Sequence, residues 1–303
     1  MKIFGHKNPD TDTIVSAIVL ADLQNKLGQE AIAYRLGELN KETQFVLDYF
    51  DVKTPELLVE LTDGNEVALV DHNEFGQSAL GIEKATIRMV VDHHRVADFK
   101  CAEPLTFRAE PVGCTATILY KLYLENEMII DKTIAGLMAS AIVSDSLLFK
   151  SPTCTEIDER VCRQLAEMAG LDIERYGMEM LKAGTDLSDY DAAGLLGIDA
   201  KMFDMNGTKV EIAQINTVDI DELMKRKDEL MSEMERLVAK KELDLFLVAL
   251  TDIVHSNSQV IAVGSRLDLV CTAFDVKLVD QTAFIPGIVS RKKQIVPVLE
   301  ANV

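Results

Sequence analysis

The chain has 303 residues, 48% hydrophobic and 27% charged, a globular balance whose length predicts two domains. Its net charge of −19 argues against a broad basic surface for nucleic acid, but leaves room for a small anion in a local cationic or metal-lined pocket. No apolar run approaches the ~18 residues that span a bilayer. The N-terminus MKIFGHKNPD lacks the apolar core of a signal peptide, so a cytoplasmic protein with no membrane partner is expected.

The first strand, KIF, runs into GHKNPDTD. Ile14, Ile18, Ala21 and Leu27 then share a helical face, with Asp12 or Thr13 placed to cap its start. AIAYRL reads as a strand and KETQFVLDYF as a helix. EVALVDH is a strand ending at Asp71 and His72, and RMVVDHH one ending at Asp92, His93 and His94. Helices are predicted over 115–125, 132–144, 156–169 and 174–183. Strands alternating with helices predict a mainly parallel sheet with helices on both faces. The pattern breaks into small and acidic residues at GTDLSDYDAAG, which sets an N-terminal domain at 1–186, a linker at 187–191 and a smaller C-terminal α/β domain at 192–303. In that second domain KVEIAQINTV, DLFLVALTDI and QVIAVG read as strands. DIDELMKRKDELMSEMERLVAKK reads as one long amphipathic helix without the sustained heptads of a coiled coil.

Four of the five histidines, His6, His72, His93 and His94, lie beside aspartates at predicted carboxyl ends of strands, where open α/β sheets form sites. Asp145, in SAIVSDS, ends an apolar helical run and needs a partner there. Singly, each feature has a bland reading as a cap, a turn or a hydrogen-bonded core histidine. Four together favour a metal centre. Imidazoles and carboxylates without thiolate suit Mn, Mg or Co better than structural zinc. The ligands outnumber the needs of one ion, so one carboxylate is expected to bridge two, an arrangement that activates water for displacement at phosphorus. Arg291, Lys292 and Lys293, in VSRKKQIVPVL between strand-like runs, would supply cations for a phosphate. No phosphate-binding G-x-x-x-x-G-K-[ST] loop occurs. The five cysteines, Cys101, Cys114, Cys154, Cys162 and Cys271, form no C-x-x-C pair and are expected to be small buried thiols.

The motifs FGHKNPDTDTIVSA, LVDHNE, VVDHHR, EPVGCTATI, SAIVSDSLLFKSPT and VSRKKQIVPVL, in that order along nearly the whole chain, resemble the manganese-dependent (family II) inorganic pyrophosphatases of the DHH phosphoesterase superfamily. The resemblance implies hydrolysis of pyrophosphate to two phosphates at two Mn²⁺ ions per subunit, with Co²⁺ or Mg²⁺ as alternatives and a further divalent ion arriving with the substrate. It implies His6 and Asp10 as ligands of the first ion, Asp12, His93 and Asp145 of the second, and Asp71 as the bridge. It implies His94 as substrate contact and general acid, Lys201, Arg291 and Lys292 as substrate-binding cations, and Asn8 as a polarising neighbour. A homodimer through the N-terminal domain, with the active site between the domains, is also implied. His93 and His94, as neighbours on an extended strand, are expected to point in opposite directions. Two alternatives remain. One is an oligonucleotide phosphodiesterase of the same superfamily, which the SRKK run and the negative charge disfavour. The other is a phosphate-binding sensor without turnover.

Overall fold

The computed structural model describes residues 1–303, which divide into two compact units, Met1–Gly184 and Thr185–Val303. The first unit contains strands β1 (Lys2–Phe4), β2 (Ile32–Arg35), β3 (Glu56–Leu57), β4 (Glu66–Val70), β5 (Thr86–Asp92) and β6 (Thr106–Ala109). Its helices are α1 (Thr11–Lys26), α2 (Lys41–Tyr49), α3 (Thr115–Glu125), α4 (Lys132–Ser146), α5 (Glu156–Ala169) and α6 (Ile173–Gly184). The strands pair in the order β3-β2-β1-β4-β5-β6, and every pair is parallel. Such strands are covered on both faces and need unbroken apolar runs. Val67 to Val70 of β4 are all fully buried. The chain winds outward from β1 through β2 to β3, then returns to β4 on the other side of β1. That reversal opens a crevice at the carboxyl ends of β1 and β4, and His6 and Asp71 follow those two ends.

The second unit contains α7 (Ala192–Gly197), β7 (Ala200–Met205), β8 (Thr208–Thr217), α8 (Ile220–Met224), α9 (Lys227–Lys241), β9 (Leu245–Asp252), β10 (Asn257–Gly264), α10 (Leu267–Phe274), β11 (Thr282–Pro286) and α11 (Val296–Glu300). Its sheet, β11-β10-β9-β8-β7, is mixed, with only β8 and β9 parallel. Alternation along β9 builds a core on each face. Phe246, Val248 and Leu250 pack with Leu230 and Met234 of α9. Leu245, Leu247 and Ala249 pack with Leu269, Val270 and Leu299 on the other side.

Three sequence expectations need correction. The long helix is two, α8 and α9, interrupted at Lys225 and Arg226. Lys225 suits the negative end of α8, and Asp228 and Glu229 suit the positive start of α9. The basic run is not flanked by strands on both sides. Arg291–Ile295 form a wide helical turn, capped by the Ser290 hydroxyl, that continues into α11. Of the cysteines, only Cys114 and Cys162 are buried, and Cys101 is exposed.

Candidate metal centre

The loop from β1 to α1 carries the first ligands. Gly5 lets this loop lie against the start of α1, since a Cβ there would meet Thr13 Cγ2 at 2.5 Å. Asp10, rather than Asp12 or Thr13, caps α1 by accepting from Thr13 N at 3.0 Å. Its other oxygen is 3.4 Å from His6 Nε2. Asp12 therefore falls inside the first turn, fully buried, where it accepts from Ser16 Oγ and from the Thr115 and Ala116 amides that open α3.

Asp71 stands at the centre. It follows β4 with a left-handed backbone (φ 58°), which aspartate tolerates better than most residues, and is 2% exposed. Its Oδ2 lies 3.4 Å from His6 Nε2 and accepts from Thr13 Oγ1 at 2.6 Å. Its Oδ1 lies 3.3 Å from His93 Nε2 and 3.6 Å from His94 Nδ1, and accepts from Thr115 Oγ1 at 3.1 Å. One carboxylate oxygen thus faces His6, and the other faces His93 and His94. Asp145, in the last turn of α4, comes within 3.9 Å of His93.

The expectation of opposed histidines fails because β5 ends at Asp92. His93 and His94 lie in the bend beyond it, with ring centroids 4.2 Å apart and both rings near Asp71. Their hydrogen bonds distinguish them. His93 Nδ1 faces the Val112 carbonyl at 3.1 Å, which puts its proton on Nδ1 and turns Nε2 toward the carboxylates. His94 Nδ1 is 3.0 Å from Asp92 Oδ1, and its side chain is 53% exposed. Asp92, fully buried, also accepts the His94 amide and the Asn73 side chain.

The electrostatics follow from burial and crowding. Burial disfavours charge on His6 and His93, yet hydrogen bonds and charge from neighbouring aspartates push them to about 10 and about 9. Asp71 is held well below the usual carboxylate range, because His6 and His93 outweigh its burial. Burial, then the charge of Asp71, pushes Asp12 up to about 6. Burial and the neighbouring carboxylates raise Asp145 well above its ordinary range. His94 is raised chiefly by its hydrogen bond to Asp92. Carboxylates forced together in this way are relieved by protons or by cations. Three groups have donor atoms lying within 4.8 Å of one another: His6–Asp10–Asp71, Asp12–His93–Asp145 and Asp71–His93–His94. All are oxygen and imidazole donors. Burial keeps the neighbouring Cys114 thiol protonated, so the set fits hard or borderline divalent ions such as manganese.

Two family models match the chain: the DHH family N-terminal domain over residues 1–142 and the DHHA2 domain over residues 178–302. The manganese-dependent inorganic pyrophosphatase of Bacillus subtilis (strain 168) is 56% identical over 298 residues, covering 98% of this chain and 96% of its own. The chain belongs to the manganese-dependent inorganic pyrophosphatases. An Oceanobacillus iheyensis protein provisionally assigned to that family is 57% identical over 299 residues, 98% of this chain and 97% of its own. A Methanococcus jannaschii crystal structure, described as a candidate family II inorganic pyrophosphatase, superposes with a TM-score of 0.63 at 39% identity, over 100% of this chain and 99% of that one.

The structure of this family member thus gathers His6, Asp10, Asp12, Asp71, His93, His94 and Asp145 in one place. Asn8 is exposed on the same loop as His6. Lys201, Arg291 and Lys292 belong to the second unit. There Arg291 is buried, with its guanidinium on the Asp199 carbonyl and, at 2.7 Å, on the Asp199 carboxylate. Lys201, two residues beyond Asp199, and Lys292 are exposed. Sequence reasoning missed Thr13, Thr115 and the Val112 carbonyl. Thr13 and the 112–115 segment stand inside the quoted motifs, but nothing in a threonine's identity announces a hydrogen bond to a distant aspartate.

Proposed function

We propose that this chain hydrolyses inorganic pyrophosphate to two phosphates at a two-manganese centre. His6 and Asp10 would hold one ion, Asp12, His93 and Asp145 the other, and Asp71 both. The carrying observation is that Asp71 turns one oxygen toward His6 and the other toward His93. When bound, two such ions lower the pKa of a shared water and neutralise charge developing at phosphorus. His94, partly exposed and favoured in its protonated form by Asp92, donates a proton to the departing phosphate. Lys201, Arg291 and Lys292 hold substrate oxygens. Lys292 and Lys201 offer exposed charges, and Arg291 is braced by Asp199. Asn8 adds a polar contact from the His6 loop. A further divalent ion enters with the substrate, and Co²⁺ or Mg²⁺ can replace Mn²⁺. The protein acts as a cytoplasmic homodimer joined through its N-terminal domain, 1–186, with 187–191 as linker to the substrate-binding domain, 192–303.

One assay tests the activity: phosphate release from pyrophosphate, with and without Mn²⁺, with a single-stranded oligonucleotide as competitor. Manganese-dependent release that the oligonucleotide does not inhibit is expected. Cleavage of the oligonucleotide, or binding of pyrophosphate without release, would overturn the reading. Sedimentation velocity tests the dimer.

A further inference from the structure

Five consecutive residues hold three members of the metal centre. The Val112 carbonyl faces His93 Nδ1 at 3.1 Å. The Thr115 and Ala116 amides donate to Asp12 at 2.7 and 3.2 Å, and Thr115 Oγ1 donates to Asp71 at 3.1 Å. This segment is itself gripped by a residue outside the centre. Asp158, in the first turn of α5, is fully buried. Its Oδ2 accepts from Gly113 N at 2.8 Å, and its Oδ1 accepts from Thr117 Oγ1 at 2.6 Å. Oδ2 also takes the Thr155 amide and hydroxyl at 2.8 and 2.6 Å. A capping box needs only the bonds to Thr155. The bonds to Gly113 and Thr117 reach across to the start of a second helix, on both sides of the residues that touch Asp12 and Asp71. Gly113 is shaped for this approach, since a Cβ there would lie 2.9 Å from Asp158 Oδ2 and 3.0 Å from the Thr153 carbonyl.

We propose that Asp158 is a positioning residue: through the 112–117 turn it sets the orientation of Asp12, Asp71 and His93, and so the affinity of one ion of the pair. This rests on the two-ion reading above. The ion held by Asp12, His93 and Asp145 depends on the turn through two ligands as well as the bridge. The ion held by His6 and Asp10 meets the turn only through Asp71. Residues that orient metal ligands typically change affinity by roughly 10–100-fold when altered.

The test is Mn²⁺ titration of the full chain, with free ion read by its paramagnetic resonance, for the wild type, Asp158→Asn, Thr117→Val and Thr155→Ala. Asp158→Asn turns an amide group toward donors. Thr117→Val removes the hydroxyl on the α3 side, and Thr155→Ala removes the cap of α5 and one bond to Asp158 while keeping the groups that tie Asp158 to Gly113 and Thr117. Asp158→Asn and Thr117→Val should weaken the site of Asp12, His93 and Asp145 by about 10–100-fold and the site of His6 and Asp10, which meets the turn only through Asp71, by less. They should also lose the resonance signature of a coupled manganese pair at matched metal. Thr155→Ala should lower the melting temperature and leave both affinities unchanged. Wild-type affinity at both sites in folded Asp158→Asn would overturn the proposal. If that variant does not fold, the same result in Thr117→Val overturns it. Equal weakening in Thr155→Ala would reduce Asp158 to a general brace. A wild type that fails to bind two ions would instead overturn the two-ion reading.

Discussion

Asp71 concentrates the chemistry of the site in one side chain. Both its oxygens are engaged by threonine hydroxyls and face imidazoles, in a position where aspartate or asparagine accepts the left-handed backbone. Asp71→Asn should therefore fold, but lose the bridging charge and retain fewer than two equivalents of manganese. Metal analysis of the purified variant decides this, and two full equivalents would refute the bridge. His94 differs in being tied to Asp92 and partly exposed. His94→Gln should keep its manganese yet lose turnover by roughly 10²–10⁴-fold, the usual contribution of a positioned general acid. Loss of one equivalent there would make His94 a ligand. Protons compete with the metal. With His6 at about 10 and His93 at about 9, both rings are protonated near pH 8 in the metal-free protein. Ligands must bind as free bases, so manganese uptake should release protons and tighten as pH rises. Equal titration heats in buffers of different ionisation enthalpy would contradict this. The sign for stability is opposite. Raised histidine pKa values support the metal-free fold fully below about 6.5, and that support fades as pH rises through about 9 to 10.

Elements carry these residues into place, and the sequence disclosed them unevenly. β4 and β5 were legible because a buried parallel strand is an apolar run, and the aspartates that end it stand out. The helices 115–125 and 156–169 were legible from their periodicity. β3, two residues long, and β6, four, are short edge strands with little pattern to read. The placing of His93 beside His94 was hidden because it depends on where β5 stops, and a bend leaves no periodicity. The candidate ligands that gather around Asp71 were readable from their types. Their support was not, because Thr13, Thr115 and Val112 act through geometry that only folding creates. Gly5 tests this support at the level of an element. A methyl group there must displace Thr13, and with it the start of α1 and the hydroxyl on Asp71. Gly5→Ala should cost about 1–3 kcal/mol, as overpacking does. It should also weaken manganese binding, whereas Gly76→Ala, with open space around its Cβ, should do neither. Denaturant melts and manganese titration of the two variants make the comparison. Equal behaviour would mean that the loop adapts.

At the level of the whole molecule, every ligand candidate falls within Met1–Gly184, while Thr185–Val303 has its own sheet with a core on each face. Stabilisation by a ligand is delivered to whatever folds with the ligand site. In the first unit, Asp12, Asp71 and Asp145 crowd together in a buried site, a repulsion that bound cations relieve. The second unit has no such debt to manganese. Its cations, Lys201, Arg291 and Lys292, are proposed to bind substrate instead. Lys292→Ala should accordingly leave manganese binding and melting unchanged and lower kcat/KM for pyrophosphate, and an unchanged constant would return the basic run to a solvated patch. Chelation should act on the other half. Scanning calorimetry of the loaded protein is expected to resolve two transitions, and removing manganese should lower only one. At a free ion concentration of about 1,000 Kd, each independent site contributes about 4 kcal/mol, enough to move that transition by several degrees. Limited proteolysis at the lower temperature would then release a fragment retaining residues 185–303 from the metal-free protein first. A single transition that shifts as a whole would show instead that the two units unfold together and that the second shares in the stability manganese confers on the first.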